Sequence, residues 1–424
     1  MIRKALFAGV VCVGFGLIAL DAQTARPVPR PPAQAQGAQP AGESAAPDGY
    51  QPIPQWLGQT HASVPAKTAA YDVQTVVEGV NGAWFQFLPD GRILVGEKNG
   101  RIRIVSKDGK LSEPLGGMPS NISTAGQSLY SVQPDNHFAT NRTIYLAYAV
   151  LPAGADAAKQ RTPTHVHVAS AKISSDDMRL EDVKDLLDAE GTGGRVIQAK
   201  DGTLLIETTV PAGLGIKSED WMQPQQTDSL MGKVLRINAD GTIPKDNPFV
   251  GKEGARVEVY ALGFRDPQGL AIHPKTGAVW TSEHGPRGGD EINAVVKGKN
   301  YGFPVIGYGR DYTGKPINAD KTAQPGMEQP VYFWTPDIAP AGITFYDGAM
   351  FPAWRGDLFV AALAGKHLAR LVLRGDRVVG EERLLEDLNT RIRDVHEGPE
   401  GALYVMTDGN EGAMLRLVPS RDGS

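Results

Sequence analysis

The sequence predicts an all-β protein with the architecture of a six-bladed β-propeller. A turn followed by a short apolar strand occurs six times along the 424 residues. A second strand often follows the first. Helical periodicity is weak throughout, and its best candidate is the short acidic stretch 175–187.

The six phrases are Pro89-Asp90-Gly91-Arg92-Ile93-Leu94-Val95, Thr140 to Leu146, Asp201 to Ile206, Lys275 to Trp280, Arg355 to Val360 and Glu400 to Val405. Asp-Gly and related pairs supply the positive φ of tight hairpins, and the β-branched and aromatic residues after them favour strands. Following strands read at 100–105 and 413–418. The irregular spacing implies loops inserted between units. Six hairpin-bearing units suggest blades that each bury a face against the next. A pair of β-sandwiches or a β-helix is the alternative arrangement of such strands.

The N-terminus sets the compartment. Met1-Ile2-Arg3-Lys4 is positive, 5–20 is apolar, and small residues surround Ala22 and Ala25, the three parts of a secretory signal peptide over residues 1–25. The apolar run is shorter than the ~20 residues of a spanning helix, so no stable membrane span is expected after cleavage. The expected location is periplasmic or secreted. Cys12, inside the apolar run, is the only cysteine, so the mature chain would have no disulfide. Residues 26–60 are rich in Pro, Ala and Gln and read as a disordered linker. Residues 61–424 remain for the propeller. Net charge is −5, and the basic residues form no concentrated stripe, which argues against a nucleic-acid partner.

Chemistry concentrates in 263–304. Glycines and prolines there hold carbonyls and amides in irregular positions, as a hard cation or an anionic ligand requires. Glu283, Asp290 and Glu291 place negative charge beside Arg265 and Arg287.

With these residues the chain resembles the soluble glucose/sorbosone dehydrogenase family, particularly periplasmic aldose sugar dehydrogenases that use pyrroloquinoline quinone (PQQ). The resemblance runs from about residue 75 to 418. Its most specific pieces are Met231-Gly232-Lys233-Val234-Leu235-Arg236 with Ile243 to Pro248, the 263–304 block, and Arg391-Ile392-Arg393-Asp394-Val395 followed by 401–408. It implies oxidation of a small sugar at C1, with PQQ and calcium as cofactors and an external electron acceptor. It places Arg265 by the reactive carbonyl and Arg391 and Arg393 on the cofactor's carboxylates, a task suited to the arginine fork. Tyr312 matches an aromatic near the cofactor. Gly285 and Pro286 match positions whose carbonyl oxygens hold the cofactor's calcium. Glu291 and the Tyr301 carbonyl match a second, structural calcium site.

Four departures fall on cofactor and base positions. The family's catalytic histidine opens a His-x-Gly-Gly-Arg phrase, and here the phrase is Gly191-Thr192-Gly193-Gly194-Arg195. The glutamine-glycine-glycine segment reads Thr124-Ala125-Gly126-Gln127-Ser128-Leu129, with Gln127 as a substitute if the loop is shortened. The asparagine after the site arginine is Asp266. The family lysine is Ala364, with Lys366 two residues away. Glu190 and His284 are the nearest candidates for a replacement base. Three readings therefore compete: a divergent quinone-dependent sugar dehydrogenase, a calcium- and ligand-binding propeller without redox chemistry, and a calcium-dependent lactonase-type hydrolase.

His165 and His167 share one strand face and read as a polar face rather than a metal site. No phosphate-binding Gly-x-x-x-x-Gly-Lys-Ser/Thr loop and no Gly-x-Ser-x-Gly elbow is present, so nucleotide and serine-hydrolase chemistry lack support.

Overall fold

The computed structural model describes residues 50–65, 69–82, 84–123, 127–150, 165–210 and 219–420. The signal-peptide segment, most of the linker and Thr124-Ala125-Gly126 lie outside the described residues.

Six antiparallel sheets follow one another along the chain, and each is a meander. Blade 1 spans 84–105, blade 2 129–189, blade 3 196–262, blade 4 267–334, blade 5 340–384 and blade 6 392–419. The six turn-strand phrases end in Ile93–Gly96, Thr143–Val150, Leu204–Thr208, Val279–Glu283, Leu358–Ala362 and Leu403–Thr407. Each of these is the second strand of its blade.

These second strands are apolar on both faces because both faces are covered. In Leu358–Ala362, Leu358, Val360 and Ala362 pack with Trp280, Ile292 and Tyr332 of blade 4. Phe359 and Ala361 point the other way, to Ile392, Leu403 and Val405 of blade 6. The same split places Leu204 and Ile206 against blade 2 and Leu205 against blade 4. A period of two along each strand thus feeds two separate cores. Clusters fill all six junctions, including blade 6 against blade 1. Fully burying one such Leu or Phe is worth roughly 1.5–3 kcal/mol, so every junction is held by several large apolar side chains.

The ring closes through Tyr71–Val80, which pairs antiparallel with Gly412–Pro419 as the outer strand of blade 6. Before it, residues 50–65 run outside blades 4 and 5. Phe333 N donates to Gln59 O at 2.9 Å and Glu381 N donates to Ser63 O at 3.2 Å, so the strap covers the outer edges of both sheets. Composition assigns 50–60 to the linker, yet Gln59 is fully buried and its side-chain amide donates to Pro330 O at 2.9 Å. The acidic stretch at 175–187 is not helical. It enters the outer strand Leu180–Ala189 of blade 2, where Asp182, Lys184 and Asp185 are exposed, as suits a charged sheet edge.

Candidate functional site

In a four-stranded meander, the segment entering the inner strand and the turn joining the second and third strands open at the same end of the blade. Ten of the thirteen sequence-predicted site residues fall in these two kinds of segment or at their edges. Gln127 enters blade 2, Glu190 enters blade 3, Arg265 and Asp266 enter blade 4, and Arg391 enters blade 6 with Arg393 just inside it. His284, Gly285 and Pro286 lie in the second-to-third turn of blade 4, and Lys366 lies in that of blade 5. Glu291 begins the next strand, while Tyr301 and Tyr312 belong to the long excursion 296–331 between the last two strands of blade 4.

Blade 4 gathers most of them. Arg265, Glu283, His284, Gly285, Pro286, Glu291 and Tyr301 line one open cleft of about 410 Å³, walled on its far side by Phe303, Tyr308 and Gly309. Arg265 is buried, and its Nη1 donates to the carbonyl oxygens of His284 and Gly285, both at 3.0 Å. Its Nη2 donates to the hydroxyl of the exposed Tyr312 at 3.1 Å. The turn is fixed from behind by Asp290, which accepts from Gly285 N at 2.8 Å and from Ile338 N at 2.7 Å. Asp337 joins from the other side, accepting from Gly288 N. Gly289 must be glycine, because its φ is 81° and a Cβ would lie 2.6 Å from Gly309 N.

Asp266 stands against His284. Its backbone oxygen accepts from His284 N at 3.0 Å, and its Oδ2 lies 3.4 Å from His284 Nδ1. Gln268 Nε2 donates to Asp266 Oδ1 at 2.6 Å. Burial raises the Asp266 pKa, but His284, Arg265 and Gln268 outweigh it and hold the carboxyl below its usual range. The other ring nitrogen, His284 Nε2, is buried without a partner among the described residues.

Two carboxylates face each other across the same sheet, Glu283 opposite Glu291. Glu283 accepts from Arg265 N at 2.8 Å and from Asn293 Nδ2 at 2.9 Å, and Asn293 Nδ2 also donates to Glu291 at 3.2 Å. Burial pushes Glu291 up to about 7; burial and the neighbouring Glu291 raise Glu283 well above a normal glutamate. Asn293 Oδ1 is buried and has no donor among the described residues. Two close acids and an orphaned amide oxygen fit a hard cation, which prefers such oxygens. No group of three His, Cys, Asp or Glu converges among the described residues, so a cation here would draw on main-chain and amide oxygens as well.

The second cluster sits where blade 6 meets blade 1. Arg391 Nε donates to Asp408 Oδ2 at 3.0 Å, Arg393 Nη2 to Oδ1 at 3.3 Å, and Lys98 Nζ to Oδ1 at 2.7 Å. Burial works against the Asp408 charge, but Arg393, Lys98 and Arg391 together pull its pKa down. Arg393 also lies 5.4 Å over the Trp84 ring. Three cations on one carboxylate leave a local excess of positive charge, which suits an acidic ligand. Lys366 Nζ donates to Asn389 Oδ1 at 3.1 Å, beside the entry to blade 6. Gln127 is half-buried next to Ser128, whose N–H donates to Lys98 O at 2.7 Å.

Glu190 does not join the cleft. Half-exposed, it accepts from Leu230 N at 3.2 Å and lies 3.4 Å from Arg256 Nη1. Gly191 has φ 109°, and a Cβ on it would lie 2.5 Å from Thr209 O. Any side chain at this position would therefore strain the backbone and press on Thr209. Gly193 and Gly194 are likewise filled against, by the Tyr130 ring and by Glu207. Arg195, the end of that phrase, crosses to the opposite inner strand and forks onto Asp394, both fully buried.

Sequence reasoning singled out Glu283 with Glu291 but missed Lys98, Asn293 and Asp408 as members of these clusters. The signal for Lys98 is its position: it lies in the second-to-third turn of blade 1, the place that 284–286 hold in blade 4.

The wider comparisons agree with this arrangement. The glucose/sorbosone dehydrogenase family model matches residues 81–416. The aldose sugar dehydrogenase YliI of Escherichia coli is 36% identical over 366 residues, covering 84% of this chain and 94% of that one. A solved structure described as a glucose dehydrogenase superposes with a TM-score of 0.76 at 40% identity, covering 82% of this chain and 99% of its own. Quinoprotein glucose dehydrogenase B of Acinetobacter calcoaceticus is 33% identical over 232 residues, 42% of this chain and 48% of that protein. A match that spans every blade, with both clusters at one end of the ring, leaves one assignment: this chain belongs to the glucose/sorbosone dehydrogenase family.

Proposed function

We propose that the chain is an exported sugar dehydrogenase that oxidises aldoses at C1 with PQQ and calcium, using His284 in place of the missing histidine. The observation that carries this reading is the convergence of Arg265, His284, Gly285, Pro286 and Glu291 on one cleft. The cation cluster of Arg391 and Arg393 supports it, as do the relatives named aldose sugar dehydrogenase and quinoprotein glucose dehydrogenase.

Gly285 and Pro286 would hold calcium, with Glu291 and the Tyr301 carbonyl at a second ion. Arg391 and Arg393 would take the cofactor's carboxylates, with Gln127 and Lys366 at the rim. When bound, the calcium-polarised quinone supplies the two-electron acceptor for the hydride leaving C1. The remaining work belongs to side chains. His284 Nε2 accepts the C1 hydroxyl proton, since it is buried in the cleft wall with no other partner among the described residues. Asp266 holds the other ring nitrogen and stabilises the imidazolium that forms. Arg265 supplies fixed donors where negative charge develops, and Tyr312 steadies its fork. Glu190, tied to Arg256, is left outside this chemistry.

The test is dye reduction by the purified chain with calcium, quinone and a panel of aldoses. Sugar-dependent reduction that falls about 10²–10⁴-fold in His284→Gln supports the reading. Quinone binding without turnover would favour a binding propeller, and quinone-independent opening of sugar lactones would favour a hydrolase.

A further inference from the structure

The cluster around Asp408 holds more positive charge than its one carboxylate needs. Lys98 comes from the second-to-third turn of blade 1, whereas Arg391, Arg393 and Asp408 all come from blade 6. Three cations against one carboxylate leave a formal excess of two positive charges. The nearest other acid on the Lys98 turn, Glu97, is already taken by Arg101 Nε and by Asn81 N. A structural ion pair would require one cation; crowding three together costs repulsion unless a further anion shares them.

The donors left over point the same way. An ammonium has three protons, and among the described residues Lys98 Nζ uses one, on Asp408. Among the described residues Arg391 uses only Nε, so the ends of its fork remain for a ligand. Lys98 is also fixed from two sides, because its backbone oxygen accepts from Ser128 N at the entry to blade 2. It therefore joins the Gln127 segment to the arginine pair.

We propose that Lys98 is the third cation of the ligand anchor and donates directly to a carboxylate of a planar polycarboxylate ligand. Asp408 is the internal carboxylate that keeps Lys98, Arg391 and Arg393 mutually positioned. This rests on the quinone reading above, and it assigns to Lys98 the contribution that Ala364 cannot make.

The test is equilibrium binding of PQQ to the full chain in calcium, followed by tryptophan quenching and calorimetry at two salt concentrations. Lys98→Met should weaken binding about 10–100-fold and flatten its salt dependence, while Lys98→Arg should stay within about threefold of the parent. Lys107→Met, in the opposite hairpin of blade 1, serves as the control and should bind as the parent does. If Lys98→Met does not fold by thermal melt, Lys98→Gln, which keeps a donor to Asp408, takes its place. Unchanged affinity in the neutral variant, or equal loss in the neutral and arginine variants, overturns the assignment. A parent chain that binds no quinone instead overturns the reading on which it rests.

Discussion

The Arg265 guanidinium donates to the carbonyl oxygen of Gly285 at 3.0 Å. That oxygen is one of the two expected to face calcium, so the guanidinium and the ion compete for it. Removing the cation should favour the ion while disabling the chemistry. Arg265→Met is expected to bind calcium several-fold tighter in the absence of quinone and to lose at least about 10²-fold in sugar oxidation. Calcium calorimetry beside the dye assay checks both. Weaker calcium binding in the variant would show that the arginine supports the ion site.

Arg195 and Asp394 tie blade 3 to blade 6 through the middle of the ring. Asp394 also accepts from Phe85 N of blade 1 at 3.2 Å, and Gly342 of blade 5 leaves the room they occupy, since a Cβ there would meet both partners. Arg195→Met leaves a buried carboxylate uncompensated and should cost about 3–5 kcal/mol in denaturant unfolding. The acid limb gives a second readout. Burial raises Asp394, but Arg195 and His396 bring it down to about 2, below its unfolded value. Its stabilisation is therefore present above pH ~4 and lost as pH falls towards 2. The parent Tm should drop across that window more steeply than that of Asp394→Asn.

Gly191→His restores the family residue in sequence but not in geometry. With φ at 109° and Thr209 O only 2.5 Å from a Cβ, the substitution strains the loop. It should destabilise by about 1–3 kcal/mol and leave turnover unrescued. Thermal melts and the dye assay are sufficient; a rise in turnover with unchanged Tm would mean that the loop relaxes readily.

Gln59 links the strap to the wall of the cleft. Its Oε1 accepts from Gln55 N at 2.7 Å and lies 3.4 Å from the Tyr308 hydroxyl, and the Tyr308 ring stacks 4.0 Å from Phe333. Gln59→Ala should cost about 1–3 kcal/mol by orphaning buried partners. The 50–65 segment should then become protease-sensitive before the blades do. Simultaneous cleavage of strap and blades would argue against a separate latch.

Much of the fold was legible because the signal is local and repeated: every Asp-Gly-type turn sits beside a strand with side chains on two faces. The closing strand Tyr71–Val80 was not, since nothing near Val77 marks Met414 as its partner. Residues 50–60 carry prolines and glutamines that read as linker, yet main-chain bonds to sheet edges, which composition does not record, hold them. The blade 4 cleft was readable because Arg265 to Tyr301 are close in sequence. Lys98 and Asp408 are 310 residues apart and meet only because the ring closes. The positive φ of Gly191 was hidden for a different reason: a glycine in sequence does not say whether its backbone is one that only glycine tolerates.

The most direct measurement is a crystal structure of the full chain grown with saturating PQQ and calcium. The quinone is expected in the blade 4 cleft beside Arg265 and His284, with its carboxylates on Lys98, Arg391 and Arg393 and an ion on the Gly285 and Pro286 oxygens. Density for neither species at this end of the ring, or a quinone seated elsewhere, would contradict this placement.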